Sequence, residues 1–223
     1  MELAALCSGG KDSAYALWLA SEEGHEIKKL VAMFPQKENS WMFHKPNWEI
    51  IKLFSKTSQI PLVEGETLGE KEKELDDLKM ILRDLSVKGI VNGAVASTYQ
   101  KNRIEKICKE LDYVSLTPLW EKDPSILLEN MIKEGFEIII TSVSAEGLTE
   151  EWLGRRIDQN CINDLKKLHR EIGIHITGEG GEYETLVLDA PFFKRRIAPQ
   201  DFEMIWKGDR GSLKIKKAKL VKK

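Results

Sequence analysis

A chain of 223 residues, 42% apolar and 31% charged, has the length for one large domain or two small ones and enough apolar side chains for a core. Its net charge of −2 excludes a broad basic nucleic-acid footprint, and no apolar run is long enough to span a membrane. Three scattered cysteines (Cys7, Cys108 and Cys161) with no C-x-x-C pair exclude zinc-ribbon and thioredoxin-like readings and fit a reducing cytoplasm.

Strand and helix patterns alternate through the first half. Met1-Glu2 leads straight into a predicted strand over Leu3–Cys7, so no secretory leader is expected. A helix over Ser13–Glu23 follows, then a strand over Lys29–Phe34. Asn47–Gln59 reads as a helix with Ile50, Ile51 and Phe54 on one face, and Pro61–Glu64 as a short strand. Glu70–Leu85 is a charged amphipathic helix whose stripe is Leu75, Leu78, Ile81, Leu82 and Leu85. Ile90–Val95 is a strand, Asn102–Leu111 a helix and Val114–Leu116 a strand. Such alternation predicts an α/β fold with a five-stranded parallel sheet covered on both faces. The first strand should be central, with the ligand beyond the carboxyl ends of the strands.

The rhythm changes after Trp120. Glu121 to Pro124 reads as a hinge or turn, Ser125–Lys133 as a helix, Glu137–Val143 as a strand and Glu150–Ile172 as one long helix. Thr185–Leu188 and Leu213–Ile215 read as antiparallel strands, and Lys214–Lys223 as a solvated edge strand and tail. The expected division is an α/β domain over 1–122 and a smaller α+β domain over 123–223 that completes its site.

The most informative stretch is Ser8-Gly9-Gly10-Lys11-Asp12-Ser13, between the first strand and the first helix. A strand, a glycine turn and a helix N-terminus make an anion site, because the first-turn N–H groups and the helix dipole both favour negative charge. Ser8 and Ser13 add hydroxyls and Lys11 a point charge, whereas an ordinary turn would use Asp12 or Ser13 only as a cap. The spacing is neither Walker A nor G-x-G-x-x-G. It resembles the SGGxDS signature of the PP-loop, or N-type ATP pyrophosphatase, superfamily. That resemblance implies cleavage of ATP between its α and β phosphates, with pyrophosphate held by residues 8–13.

A second unusual stretch is Gly178-Glu179-Gly180-Gly181-Glu182-Tyr183-Glu184-Thr185, running into Leu186-Val187-Leu188. An acidic glycine-rich loop can set carboxylates against magnesium, ammonium or a substrate hydroxyl; the bland alternative is a solvated turn. With Asp189-Ala190-Pro191-Phe192-Phe193 it resembles the C-terminal hallmark of the diphthine–ammonia ligase family. Trp41-Met42-Phe43-His44, the Gly93–Arg103 segment, Pro118-Leu119-Trp120 and Trp152-Leu153-Gly154-Arg155 with Ile157-Asp158 are similar to that family too, so the likeness covers nearly the whole chain.

The resemblance implies a HUP-type (Rossmann-like) ATP domain and ATP-dependent amidation of diphthine on translation elongation factor 2. Ammonium is the nitrogen source, an acyl-adenylate the intermediate, and AMP and pyrophosphate the co-products. It further implies that Met33, Gly93, Ser97 and Gln100 join the phosphate loop around ATP, and that Lys11, Asp12, Arg103, Glu179, Glu182 and Glu184 are catalytic. His44, Arg155, Asp158, Gly180, Gly181, Tyr183 and Thr185 would meet substrate, and Asp12 would hold Mg2+. Read from the residues alone, Arg103 could equally be a surface arginine, Arg155 and Asp158 an ion pair at i, i+3, and the aromatic 35–46 loop a lid, a docking surface or a buried segment. The expected partners are the elongation factor and ammonium, with room for a homodimer but none for nucleic acid or membrane. Alternatives are a tRNA-thiolating or lysidine-type relative, which would need reactive cysteines and a basic RNA face, and a non-catalytic nucleotide-binding module.

Overall fold

A computed structural model describes residues 1–35, 48–68 and 73–223. The chain divides into two compact units, Met1–Trp120 and Glu121–Lys223.

In the first unit, β1 (Glu2–Leu6), β2 (Glu26–Pro35), β3 (Leu62–Thr67), β4 (Gly89–Val91) and β5 (Val114–Leu116) alternate with α1 (Lys11–Glu22), α2 (Trp48–Ser58), α3 (Lys73–Arg83) and α4 (Thr98–Glu110). The sheet runs β3-β2-β1-β4-β5 and every pair is parallel, so the strand that feeds the phosphate motif is central, as expected of a HUP-type domain. β1 can be central because Leu3, Ala4 and Ala5 are apolar and buried on both faces. The α3 stripe of Leu75, Leu78 and Leu82 packs with Ala4, Val31 and Ile90 in one cluster.

Among the boundaries that differ from the sequence reading, three bear on the site. Helix α1 starts at Lys11, so the lysine and Asp12 belong to its first turn rather than to a loop before it. β4 ends at Val91, short of Val95, because Asn92 turns the chain: its Oδ1 accepts from Ala94 N at 3.2 Å and its Nδ2 donates to Thr117 Oγ1 at 3.0 Å. α4 starts at Thr98 because Ser97 caps it, accepting from Gln100 N at 3.3 Å. Residues 70–72 of the third predicted helix, and Asn47 of the second, lie outside the described residues.

In the second unit, α5 (Pro124–Lys133) carries proline in its first turn under an Asp123 cap. β6 (Glu137–Val143), α6 (Gln159–Ile172), β7 (Tyr183–Asp189), β8 (Arg196–Lys207) and β9 (Arg210–Val221) follow. The strands form an antiparallel sheet ordered β7-β6-β9-β8. Leu127, Leu128, Met131, Ile138, Ile140 and Val187 lie in the core of this unit.

Here the sequence reading needs two corrections. The long helix over Glu150–Ile172 is broken into a 3₁₀ turn at Glu150–Trp152 and α6. Between them Gly154, with φ +78°, lets the chain run beside β6: Gly154 N donates to Ile140 O at 2.8 Å and Ile157 N to Ile138 O at 2.9 Å. Asp158 then restarts the helix as its N-cap. Second, the sequence reading missed β8, the strand that pairs with β9 along its length; β9 meets β6 only at Gly211 and Ser212, so its Lys214–Val221 stretch pairs with β8 alone. Pro199 and the adjoining bulge disguise β8, although the two-residue Gly208-Asp209 connection between β8 and β9 is a hairpin signal. No helix among the described residues is long and apolar enough to cross a membrane.

Candidate active site

The phosphate loop is built almost wholly from its own residues. Cys7 N donates to Val31 O at 2.8 Å, which fixes the end of β1. Gly9 then adopts φ +79°, a conformation glycine takes without steric cost. Ser8 Oγ lies 3.2 Å from Ser13 Oγ and accepts from Gly10 N at 3.3 Å, while Ser13 Oγ donates to Gly10 O at 3.1 Å. Gly10, the N-cap, supplies no capping side chain, so the first-turn amides keep their directed partial charge for an anion.

Lys11 is only 2% exposed, and its Nζ lies 2.8 Å from Asp12 Oδ2. A buried ammonium needs such a partner, since desolvation would otherwise disfavour its charge. The other oxygen, Asp12 Oδ1, is buried with no hydrogen-bond partner. A buried hard oxygen donor beside an anion cradle suits Mg2+, which takes one or two carboxylates and completes its shell with phosphates and water. Among the described residues no cluster of three or more His, Cys, Asp or Glu could hold a metal by itself.

The remaining predicted nucleotide residues have distinct places. A Cβ on Gly93 would come 2.6 Å from Asp12 C and 2.7 Å from Ser13 N, so the turn after β4 braces the phosphate loop through bare backbone. Ser97 and Gln100 form an S-x-x-Q pair at the start of α4, the sequence of a capping box. Arg103, one turn on, stacks its guanidinium 3.4 Å from the centroid of Tyr99. Met33 is buried in the core, opposite Gly65 in the β2–β3 register. His44 lies outside the described residues.

In the second unit the acidic loop is held from several directions. Gly178 N donates to His175 O at 2.9 Å and Gly181 N to Gly178 O at 3.0 Å, with φ +74° and +84° at the two glycines. Ser144, at the end of β6, donates through Oγ to Gly181 O and through its N–H to Glu182 O at 2.8 Å. Glu182 folds back over Gly180, where a Cβ would sit 2.9 Å from its carboxylate, and its Oε1 accepts from His175 N at 2.7 Å. Glu182 Oε2 is buried and has no hydrogen-bond partner. Tyr183 is buried, with its hydroxyl donating to Ile176 O at 2.6 Å, so it positions the loop. Glu179, Glu184 and Thr185 are half-buried beside it.

Arg155 and Asp158 do not pair as i, i+3 neighbours on a helix. Arg155 pairs with Asp164 and lies 4.5 Å from the Trp152 ring centroid. Burial by itself would lower the Arg155 pKa, but Asp164 and the other nearby acidic groups more than offset this and hold the guanidinium charged. Asp158 accepts from Cys161 N at 2.8 Å as the α6 cap.

Two family models match these two units: the Diphthamide synthase N-terminal domain over residues 1–115 and the Diphthamide synthase C-terminal domain over residues 123–221. The chain belongs to the diphthamide synthase family. Similar proteins named diphthine–ammonia ligase occur in Schizosaccharomyces pombe (35% identity), Bos taurus (33%) and Homo sapiens (33%). Each match covers 92% of this chain; it spans 37% of the yeast protein and 85% of each mammalian one. Against this diphthamide synthase background, sequence reasoning missed four residues. Asn92 shapes the turn after β4, Tyr99 backs Arg103, and Ser144 and His175 hold the acidic loop. Asn92 had a signal in the chain, since an asparagine side chain readily accepts from the backbone two residues on and so makes a turn. Ser144 and His175 had none, because strand pairing and loop closure set their roles.

Proposed function

We propose that this chain is a ligase that amidates diphthine on translation elongation factor 2, with ATP and ammonium as co-substrates. The family membership supports the C–N bond-forming class. The phosphate loop is the structural observation that carries the ATP step: anion-directed amides, an uncapped helix start and an orphaned Asp12 oxygen within six residues.

A carboxylate is a poor acyl donor. In the proposed sequence the diphthine carboxylate oxygen attacks the α-phosphorus of ATP, the bond to the β-phosphate oxygen breaks, and pyrophosphate leaves into residues 8–13. The first-turn amides and Lys11 stabilise the charge that develops on pyrophosphate. Mg2+, held by Asp12 and the phosphates, would supply further neutralisation of that charge. Arg103, stacked on Tyr99, is assigned to the nucleotide or acyl phosphate. Ammonia then attacks the acyl carbon and AMP departs. Glu182 is assigned to ammonium, because its buried Oε2 is an acceptor with no donor of its own. Glu179 and Glu184 supply further negative charge near the same loop. Loss of the ammonium proton to a carboxylate or solvent leaves the neutral nucleophile.

The thiols point away from tRNA thiolation. Burial pushes Cys7 up to about 12 and both Cys108 and Cys161 up to about 11, which keeps all three protonated and unreactive near neutrality.

The deciding experiment incubates the chain with diphthine-bearing elongation factor 2, ATP and ammonium. Conversion of the acid to the amide by mass spectrometry, with AMP and pyrophosphate released one to one, is expected. Release of ADP and orthophosphate, or AMP release only with tRNA, overturns the reading.

A further inference from the structure

Asn92 is 5% exposed and directly follows Val91, the last residue of β4. Its Oδ1 accepts from Ala94 N at 3.2 Å, and a backbone N–H can only donate, so the side-chain amide has one orientation. The amide nitrogen therefore faces Thr117, and Nδ2 donates to Thr117 Oγ1 at 3.0 Å. Asn92 N also donates to Leu116 O at 3.0 Å, one step past the Val91–Leu116 register pair. The Oδ1 bond alone is enough to make the turn. The bond to Thr117 does something else: it ties the chain leaving β4 to the chain leaving β5.

What the tie holds in place is Gly93. A Cβ there would also come 2.8 Å from Asp12 O, so the backbone of Gly93 rests on the Asp12–Ser13 peptide. That peptide belongs to the first turn of α1 and carries the Ser13 N–H, one of the amides for which a helix has no carbonyl of its own. Gly10 offers the turn no capping side chain, which leaves its angle to packing. A contact between two backbones passes on a displacement directly, because neither partner has a rotamer to absorb it. The path lies wholly within the first unit, from Thr117 through Asn92 and Gly93 to the start of α1.

We infer that Asn92 and Thr117 are positioning residues for the ATP step: their hydrogen bond holds the turn after β4 and, through Gly93, sets where the Asp12–Ser13 peptide presents its N–H to a phosphate. This rests on the reading that residues 8–13 hold pyrophosphate. The test uses the full chain at a temperature where unfolding curves show every variant folded. Thr117→Val keeps the side-chain shape and removes the acceptor, which leaves Nδ2 buried without a partner. Amide exchange in peptides covering residues 8–18 then speeds up about tenfold, while exchange in α6 stays as in the wild type. The Kd for pyrophosphate rises about tenfold and kcat falls about tenfold, with the KM for ammonium unchanged. Thr117→Ser restores the acceptor and stays within about twofold of wild type on every measure. Should Thr117→Val fail to fold, Thr117→Ala, which lets water reach Nδ2, shows the same pattern at about threefold.

A Thr117→Val chain that loses stability but keeps wild-type exchange over residues 8–18 and wild-type affinity for pyrophosphate makes the bond a fold contact only and overturns the proposal. So do equal losses in Thr117→Ser and Thr117→Val, or a parallel change in the KM for ammonium. Faster exchange over residues 8–18 in the variant, with neither pyrophosphate nor ATP bound by the wild type, leaves the brace intact and removes the ATP reading, and with it the role assigned to the bond.

Discussion

The two candidate loops reach order by opposite routes. Residues 8–13 are organised by hydrogen bonds among themselves, with Gly93 as a distant brace. The acidic loop depends on Ser144, 37 residues away, and on backbone from His175 and Ile176. An anion cradle uses amides that every residue carries, so a short run of sequence can specify it. A placed carboxylate requires strands to pair in register first, so its geometry is a tertiary property.

Variants can break that contrast or sharpen it. The largest effect belongs to Asp12→Ala, which removes the orphaned oxygen and the partner of Lys11. Steady-state assays should show turnover falling about a thousandfold. Urea unfolding should show a loss of about 2 kcal/mol, moderated by the partial exposure of Asp12. Gly93→Ala comes next: its Cβ would press on the backbone of Asp12 and Ser13, and kcat/KM should drop about a hundredfold through displacement of the loop. Activity near wild type would mean that the loop needs no brace.

Glu182 separates placement from charge. Glu182→Gln keeps an oxygen to accept from His175 N, so ATP binding should be untouched while amide formation falls about thirtyfold. Glu182→Ala should lose a further factor of a few through the loosened loop. Equal rates for Gln and Glu would take this group out of ammonium handling. A smaller change is expected for Ser97→Ala, about 1 kcal/mol of stability from the lost α4 cap, with the KM for ATP within about twofold. A large rise in that KM would instead make the hydroxyl a nucleotide ligand.

The thiols provide a pH test with a defined sign. Their pKa values are higher folded than unfolded, so their contribution to stability is fully present below about pH 9 and declines as pH climbs toward 11 to 12. Iodoacetamide at pH 8.5 should label the urea-unfolded chain on cysteine and leave the native chain unmodified. Rapid native labelling would reveal an accessible thiolate.

Much of the first unit was legible because burial on both faces of a parallel sheet leaves a strong signal. Leu3–Ala5 and the α3 stripe show it, and so does the glycine pair after β1. Boundaries were missed where a polar side chain ends or starts an element: Asn92 after β4, Ser97 before α4, Asp158 before α6. The last of these broke one predicted helix into two pieces and separated Arg155 from Asp158. β8 escaped because Pro199 and the bulge beside it argue against a strand, although Phe202, Met204 and Trp206 alternate with Glu203 and Lys207. The partners of the acidic loop were out of reach, since nothing local ties Gly181 to Ser144.

The contact between Lys11 and Asp12 has a consequence for selectivity. Before any ligand arrives, the cation already has a counter-ion, so the cradle presents little excess charge to a stray sulfate or orthophosphate. Under the proposed reading, a polyphosphate that arrives with its divalent cation can satisfy both members of the pair at once: metal draws the aspartate, phosphate draws the lysine. Occupancy then depends on the coincidence of two charges, a filter that a single free lysine could not provide.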